Sequence, residues 1–221
     1  LVHAGFQRAI FMSATPADVE RQLCEGHVVS MVVRPNHLLE PPIILQRVAG
    51  LAQADQDMPP EVVGLIHRHV AEAREQGGQA LVLTTRKSHI AALTHIVRGA
   101  APKVRVMSVQ CDMTDSQSRL VIERFRRGHT DVLIGINMLR EGVDFPNLVR
   151  VLVLFADSGG FLRDHTSLVQ MAGRAARNEN AKVVFVAART CERIERVINE
   201  SLLRRSVQLA AKLKDEGSPQ N

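Results

Sequence analysis

Two arginines carry the strongest chemical signal in this chain. The run Gln170-Met171-Ala172-Gly173-Arg174-Ala175-Ala176-Arg177-Asn178 sets Arg174 and Arg177 three residues apart, a spacing that puts both guanidinium groups on one face of a helix. The small residues Ala172, Gly173, Ala175 and Ala176 let another surface approach that face closely. Two planar forks presented this way suit a triphosphate, whose charge spreads over equatorial oxygens as the terminal phosphoryl group leaves. An isolated pair of this spacing more often makes solvent-facing ion pairs. Gln170, three residues before Gly173, and the segments that follow favour the phosphate reading here.

The second segment runs from Gly135 to Pro146 (GINMLREGVDFP), directly after the apolar run Asp131–Ile134. In open α/β sheets ligands gather outside the carboxyl ends of strands, where this loop is expected to fall. Gly142 permits close approach of backbone to phosphate, and Asp144 can accept a hydrogen bond from a ribose hydroxyl. Asn137 and Arg140 have the chemistry to touch nucleic-acid phosphates. Gly, Asn, Asp and Pro also populate any strand-to-helix loop, so this segment takes its meaning from the company of the first. A phosphate-gripping loop requires GxxxxGK[ST], and the chain holds no Gly-Lys dipeptide.

The elements that must position these residues read as a parallel α/β sheet with helices on both faces. Short apolar runs at Ala80–Thr84, Val104–Val109, Asp131–Ile134, Val151–Phe155 and Val183–Val186 predict strands buried on both sides. Between them, 61–76, 87–98 and 114–127 have helical period, and Thr114-Asp115 is a helix start. Arg8–Met12 and Val28–Val33 read as further strands, the first leading into Ser13-Ala14-Thr15-Pro16, and Pro35, Pro41 and Pro42 stiffen a connector. From Cys191 onward a single long helix is expected, ending in a polar tail at 216–221. The division is therefore 1–45, 46–190 and 191–221.

Composition excludes several classes. No apolar run approaches the roughly 20 residues that cross a bilayer. Cys24, Cys111 and Cys191 lie far apart without a CxxC pair, and the 9 histidines form no ligand motif, so no metal site is expected and a reducing cytoplasm is. The net charge of +5 fits contact with phosphates; with aromatics at 3% and neither Trp nor Tyr, base stacking is nearly unavailable, so any nucleic acid would be held by its backbone. The chain opens on Leu1 rather than Met, as a piece of a longer protein does.

Ser13–Pro16, Gly135–Pro146 and Gln170–Arg177 stand in the order and spacing of motifs III, V and VI of superfamily 2 helicases. The chain resembles one branch of these, the UvrB family of bacterial nucleotide excision repair. GINMLREGVDFP is similar to that family's motif V, and Gly160-Phe161-Leu162-Arg163, Ser167-Leu168-Val169-Gln170 and GRAARN resemble its run into motif VI. Arg34-Pro35, Leu38-Leu39 and Pro41 look like its connector between motor domains, and Leu83-Thr84-Thr85-Arg86-Lys87 like its motif IV region. Departures are His165, Val186–Arg189 in place of Tyr-Ala-Asp, and the region around Gln110–Asp112.

The resemblance implies a RecA-like helicase C-terminal motor domain, preceded by the end of a first one. It assigns Arg174 and Arg177 to catalysis on ATP bound by that first domain, which also holds the Mg²⁺. Gln170, Gly142, Asp144, Ser13 and Thr15 would line the nucleotide side, and Thr84, Thr85, Asn137 and Arg140 the DNA track. Asp157 would be structural rather than an Mg²⁺ ligand, and Arg119 would help organise the domain. The implied partners are DNA and the other excision-repair subunits, a damage-recognition ATPase and a nuclease. Alone, the chain should not hydrolyse ATP. Two alternatives stay open: another superfamily 2 DNA translocase, such as a competence-type uptake helicase, and a non-catalytic motor fold that docks repair partners.

Overall fold

Runs of Val, Ile and Leu too short for helices pair side by side, because each is apolar on both faces and must be covered on both. The computed structural model describes every residue except 1–9, 11, 14, 17, 26, 35, 37, 56, 111, 137–143 and 217–221. Among the described residues the sheet has six strands: β1 (Ile43–Arg47), β2 (Gln79–Thr84), β3 (Val106–Val109), β4 (Val132–Ile136), β5 (Leu148–Leu154) and β6 (Lys182–Ala187). Their order is β1-β6-β5-β2-β4-β3, and every neighbouring pair is parallel.

The helices are α1 (Asp18–Leu23), α2 (Pro60–Glu75), α3 (His89–Ala100), α4 (Asp115–Arg126), α5 (His165–Gly173) and α6 (Glu192–Glu216). Alternation along the strands splits the core in two. Ala80, Val82, Ile134, Leu152 and Val184 face α2 and α3, whereas Leu81, Leu83, Leu133, Val151 and Phe185 face α4, α5 and α6. Crossovers moving one way across the sheet run over the first face and returning ones over the second, as a single crossover hand requires. Thr114 starts α4 with a full capping box: its hydroxyl accepts from the Gln117 amide, and the Gln117 side chain accepts from the Thr114 amide.

The chain divides into two units, residues 1–32 and 33–221, and the second holds the whole sheet. β1 is not among the strands the sequence predicts; Ile43–Arg47 pairs with β6 from Ile43↔Val183 to Arg47↔Ala187, so the sheet begins inside the expected connector. Conversely, Val28–Val33 is not a strand. Val29 and Met31 are about nine-tenths exposed, and β-branched residues make a ladder only where a neighbouring strand exists. Of the other expected strand, Arg8–Met12, residues 8, 9 and 11 lie outside the described residues, and Ile10 and Met12 are exposed.

Charged clamps finish the sheet's amino-terminal edge. Arg150 is fully buried within β5; its guanidinium donates to Glu72 Oε2 at 3.2 Å, to the Val149 carbonyl at 2.8 Å and to the Asn180 carbonyl at 2.9 Å. Asp131 accepts from the Arg105 amide at 2.8 Å and its guanidinium at 2.6 Å, tying edge strand β3 to β4. Burial alone would push the Asp131 carboxyl up, but the Arg105 hydrogen bonds win and hold it below its ordinary 3.8. A depressed carboxylate stabilises the fold above its unfolded pKa and loses that contribution as pH falls through the folded one. Asp131→Asn should therefore cost about 1–3 kcal/mol at pH 7. In urea titrations, the gap from the parent chain should close below pH 3.8.

Candidate functional site

Two return journeys build the site. β4 ends at Ile136 and β5 begins at Leu148, and the strands run parallel, so the chain between them must travel back to the amino-terminal edge. Asp144, four residues before Leu148, has completed that return. The helix α5 makes the same journey between β5 and β6, and Arg177 arrives five residues before Lys182. Because β5 and β6 are neighbours, the two side chains meet, with Arg177 Nε 2.9 Å from Asp144 Oδ1. The expectation that this part of the loop lies at the carboxyl ends of the strands is thus corrected for Asp144. The loop leaves from that edge, but its acid faces the opposite one.

The helix itself ends at Gly173, so Arg174 and Arg177 lie beyond α5. Residues 174–176 continue as a tighter turn whose amides bond three residues back: Arg174 to Met171 at 3.3 Å, Ala175 to Ala172 at 3.2 Å and Ala176 to Gly173 at 3.1 Å. Positions i and i+3 eclipse in that geometry, which aligns the pair for a different reason than helical spacing. Ala175 and Ala176 are buried beneath the turn. Arg177 is 66% exposed and Asp144 45%; an ion pair so open to water is worth at most about 1 kcal/mol. Arg174 is half-buried and engaged, and Gln170 is half-buried one helical turn upstream.

Sequence reasoning missed the residue that braces α5, the helix leading into this turn, against β5. Arg163 is fully buried, and its Nε and one terminal nitrogen donate to the Leu154 carbonyl at 3.2 and 3.0 Å. Its other terminal nitrogen donates to the Leu162 carbonyl at 2.8 Å and meets Met171 Sδ at 3.7 Å. Burial pulls this guanidinium down to about 10, with no carboxylate offsetting the cost. Arg163 joins the end of β5 to the residue whose carbonyl receives the Arg174 amide. Gly160, at φ 90° and ψ 174°, takes a conformation that side chains avoid and starts the short turn that carries Arg163 inward. The signal available was an arginine in an apolar neighbourhood, GFLR, which does not by itself distinguish a brace from a surface contact.

The opposite, carboxyl edge is organised by His89. Its Nδ1 lies 2.6 Å from the Thr84 hydroxyl, and its ring stacks on Phe155 at 4.6 Å. Burial first, then Arg86, lower the His89 pKa, with Asp55 opposing. Thr84 is fully buried. Its hydroxyl is committed to His89, which withdraws it from the expected DNA track. Thr85 is half-buried, while Arg86, Lys87 and Ser88 are exposed. Ser88 donates to Asp55 at 2.7 Å and Lys87 to Asp112 at 2.7 Å, fastening three loops together.

Asn137, Arg140 and Gly142 lie outside the described residues. Ser13 and Thr15 belong to the first unit, where the Thr15 amide donates to Ser13 Oγ at 3.1 Å. Asp157 accepts from the Arg189 amide at 3.1 Å, linking the exits of β5 and β6. His165 pairs with Glu200 of α6 at 3.0 Å. Arg119 is exposed on α4. Among the described residues, no group of three or more His, Cys, Asp or Glu could hold a metal ion, and no helix is long and apolar enough to cross a membrane.

A six-stranded parallel sheet with helices on both faces, and an arginine turn following the helix between two central strands, is the RecA-like architecture of helicase C-terminal domains. In solved structures the same fold recurs in S. cerevisiae Dbp5 bound to RNA and ADP BeF3, with a TM-score of 0.56 at 17% identity over 87% of this chain and 47% of that one. It recurs too in the Mycobacterium smegmatis helicase Lhr bound to ssDNA and AMP-PNP, with a TM-score of 0.52 at 15% identity over 77% of this chain and 22% of that one. The chain belongs to the helicase conserved C-terminal domain family, whose model matches residues 61–179. More particularly, it is UvrB-like. UvrABC system protein B of Halobacterium salinarum is 40% identical over 92% of this chain, and that of Cytophaga hutchinsonii 38% over 92%. The chain spans 27% and 28% of those relatives' lengths.

The burial of Thr84 generates a test. Thr84→Val keeps shape but leaves a buried imidazole nitrogen unpaired, so it should lower stability by about 1–3 kcal/mol. Affinity for single-stranded DNA, measured by fluorescence anisotropy on the folded variant, should stay within twofold.

Proposed function

We propose that this chain is the second motor domain of a UvrB-like DNA helicase and ATPase of nucleotide excision repair, and that Arg174 and Arg177 act on ATP held by a partnering motor domain. The observation that carries the reading is the turn at 174–177. It presents guanidinium donors at one edge of the sheet, and Arg177 already grips an anion there, the Asp144 carboxylate at 2.9 Å. A triphosphate offers the same oxygen chemistry with more charge. The weak, exposed pair with Asp144 can therefore yield to a γ-phosphate.

In this reading the chain's residues act by position and charge. Arg174 and Arg177 reach the terminal phosphate oxygens, where charge accumulates as the phosphoryl group transfers, and their preorganisation is felt mainly in the transition state. Asp144, released from Arg177, is available to accept a ribose hydroxyl. Gln170 and Gly142 serve the same nucleotide, and Ser13 and Thr15 couple nucleotide state to closure of the motor domains. ATP brings the group to be transferred, and its Mg²⁺ is held outside this chain. Thr85, Asn137 and Arg140 hold the DNA backbone without reading bases. Damage-recognition and nuclease subunits would be the protein partners, in the cytoplasm. Lhr, which shares this fold, binds ssDNA and AMP-PNP, and the UvrB-like relatives supply the repair context.

Alanine at Arg174 or Arg177 in the intact protein should reduce ATP turnover at least 10³-fold, the scale at which an arginine finger acts. The circular dichroism spectrum and melting temperature should match the parent. DNA-stimulated turnover within twofold of normal in both variants would discard the assignment.

A further inference from the structure

We infer that Arg34, at the start of the second unit, is a positioning residue for the arginine turn. Its guanidinium donates to the Ala176 carbonyl at 2.6 Å, between Arg174 and Arg177 in sequence. Ala176 is buried, and Arg34 is half-buried, so the bond is partly shielded from competing water. Its donor is charged, which strengthens it.

The turn needs such a partner. After Gly173 the backbone leaves α-helical bonding, and carbonyls at a helix end lack intrahelical amides. The Ala176 carbonyl receives its donor from residue 34, more than a hundred residues away in sequence.

The segment that follows Arg34 is fastened at Glu40 and at Pro42. The Glu40 carboxylate accepts from Arg204 at 2.7 Å and from Ser201 at 3.1 Å, and the Glu40 amide donates to Gln208 at 2.7 Å. Arg205 donates to the Glu40 carbonyl. The Pro42 carbonyl then receives the Val183 amide at 3.0 Å, and β1 begins at Ile43. The segment from Arg34 to Pro42 is thus a strap laid on the arginine turn, α6 and β6, and Arg34 is the part of it that holds the backbone between the two arginines.

This inference rests on the reading that those arginines serve ATP turnover, and the experiment separates the two. In the intact protein, Arg34→Ala should lower kcat about tenfold or more with KM changed less than threefold, since displacing a catalytic group by about 1 Å can cost up to a hundredfold. Arg34→Lys keeps a charged donor and should recover most of the loss. Hydrogen exchange in the Arg34→Ala variant should quicken over residues 174–178 and stay unchanged over β2 and β5. Normal kcat in Arg34→Ala beside a dead Arg177→Ala overturns the positioning role and leaves the function standing. Normal kcat in both overturns the function. Faster exchange spread evenly over the sheet, or no rescue by lysine, overturns the positioning role in favour of general stability.

Discussion

Parallel pairing of β5 with β6 is the constraint on which the rest of the site depends. A parallel neighbour cannot be reached by a hairpin, so the chain must cross back over the sheet before each strand starts. The segments leading into β5 and β6 are thereby delivered to one edge, side by side. One brings Asp144 and the other Arg177, and opposite charges carried to adjacent positions pair. The same constraint divides labour between the two edges. Among the described residues, the exits of β2 and β5 meet at His89 and Phe155, while the segment that enters β6 carries the arginines.

Buried arginines stabilise both edges, and they do so differently. Arg150 has a carboxylate partner in Glu72 of α2, together with backbone carbonyls, so its charge is compensated. Arg163 has carbonyls and a thioether only, and its lowered pKa records the cost of burial. That cost is tolerated where the Phe161–Arg163 turn must hold the end of β5 against α5. A leucine there would remove the desolvation penalty and also the bonds that fix α5 relative to β5.

Much of this is legible in the sequence, and the failures have physical causes. Val151–Phe155 and Asp131–Ile134 read as central strands because burial on both faces leaves an uninterrupted apolar run. Thr114 announces α4 through its capping chemistry. β1 escapes because an edge strand keeps Gln46 and Arg47, and prolines precede it. Val28–Val33 misleads because β propensity describes a surface looking for a neighbour, not the neighbour itself. At the site, residue types give the arginines and Asp144. Side-chain direction is not readable, which is why Thr84 resembles a DNA contact although its hydroxyl turns inward on His89. Arg34 is visible only as part of a connector pattern, because its target is a backbone carbonyl, and a carbonyl leaves no mark in a sequence.

The exposure of the Arg177–Asp144 pair has a consequence for timing. Solvent-facing side chains change rotamer in picoseconds to nanoseconds, while whole-body closure takes microseconds or longer. Swapping one oxygen partner for another is thus never the slow event, and the guanidinium arrives ready whenever a competing anion comes within range. Under the proposed function, any delay in turnover would then come from larger bodies moving. The carboxylate serves as a perch rather than a padlock, keeping a mobile cation near its workplace without making departure expensive.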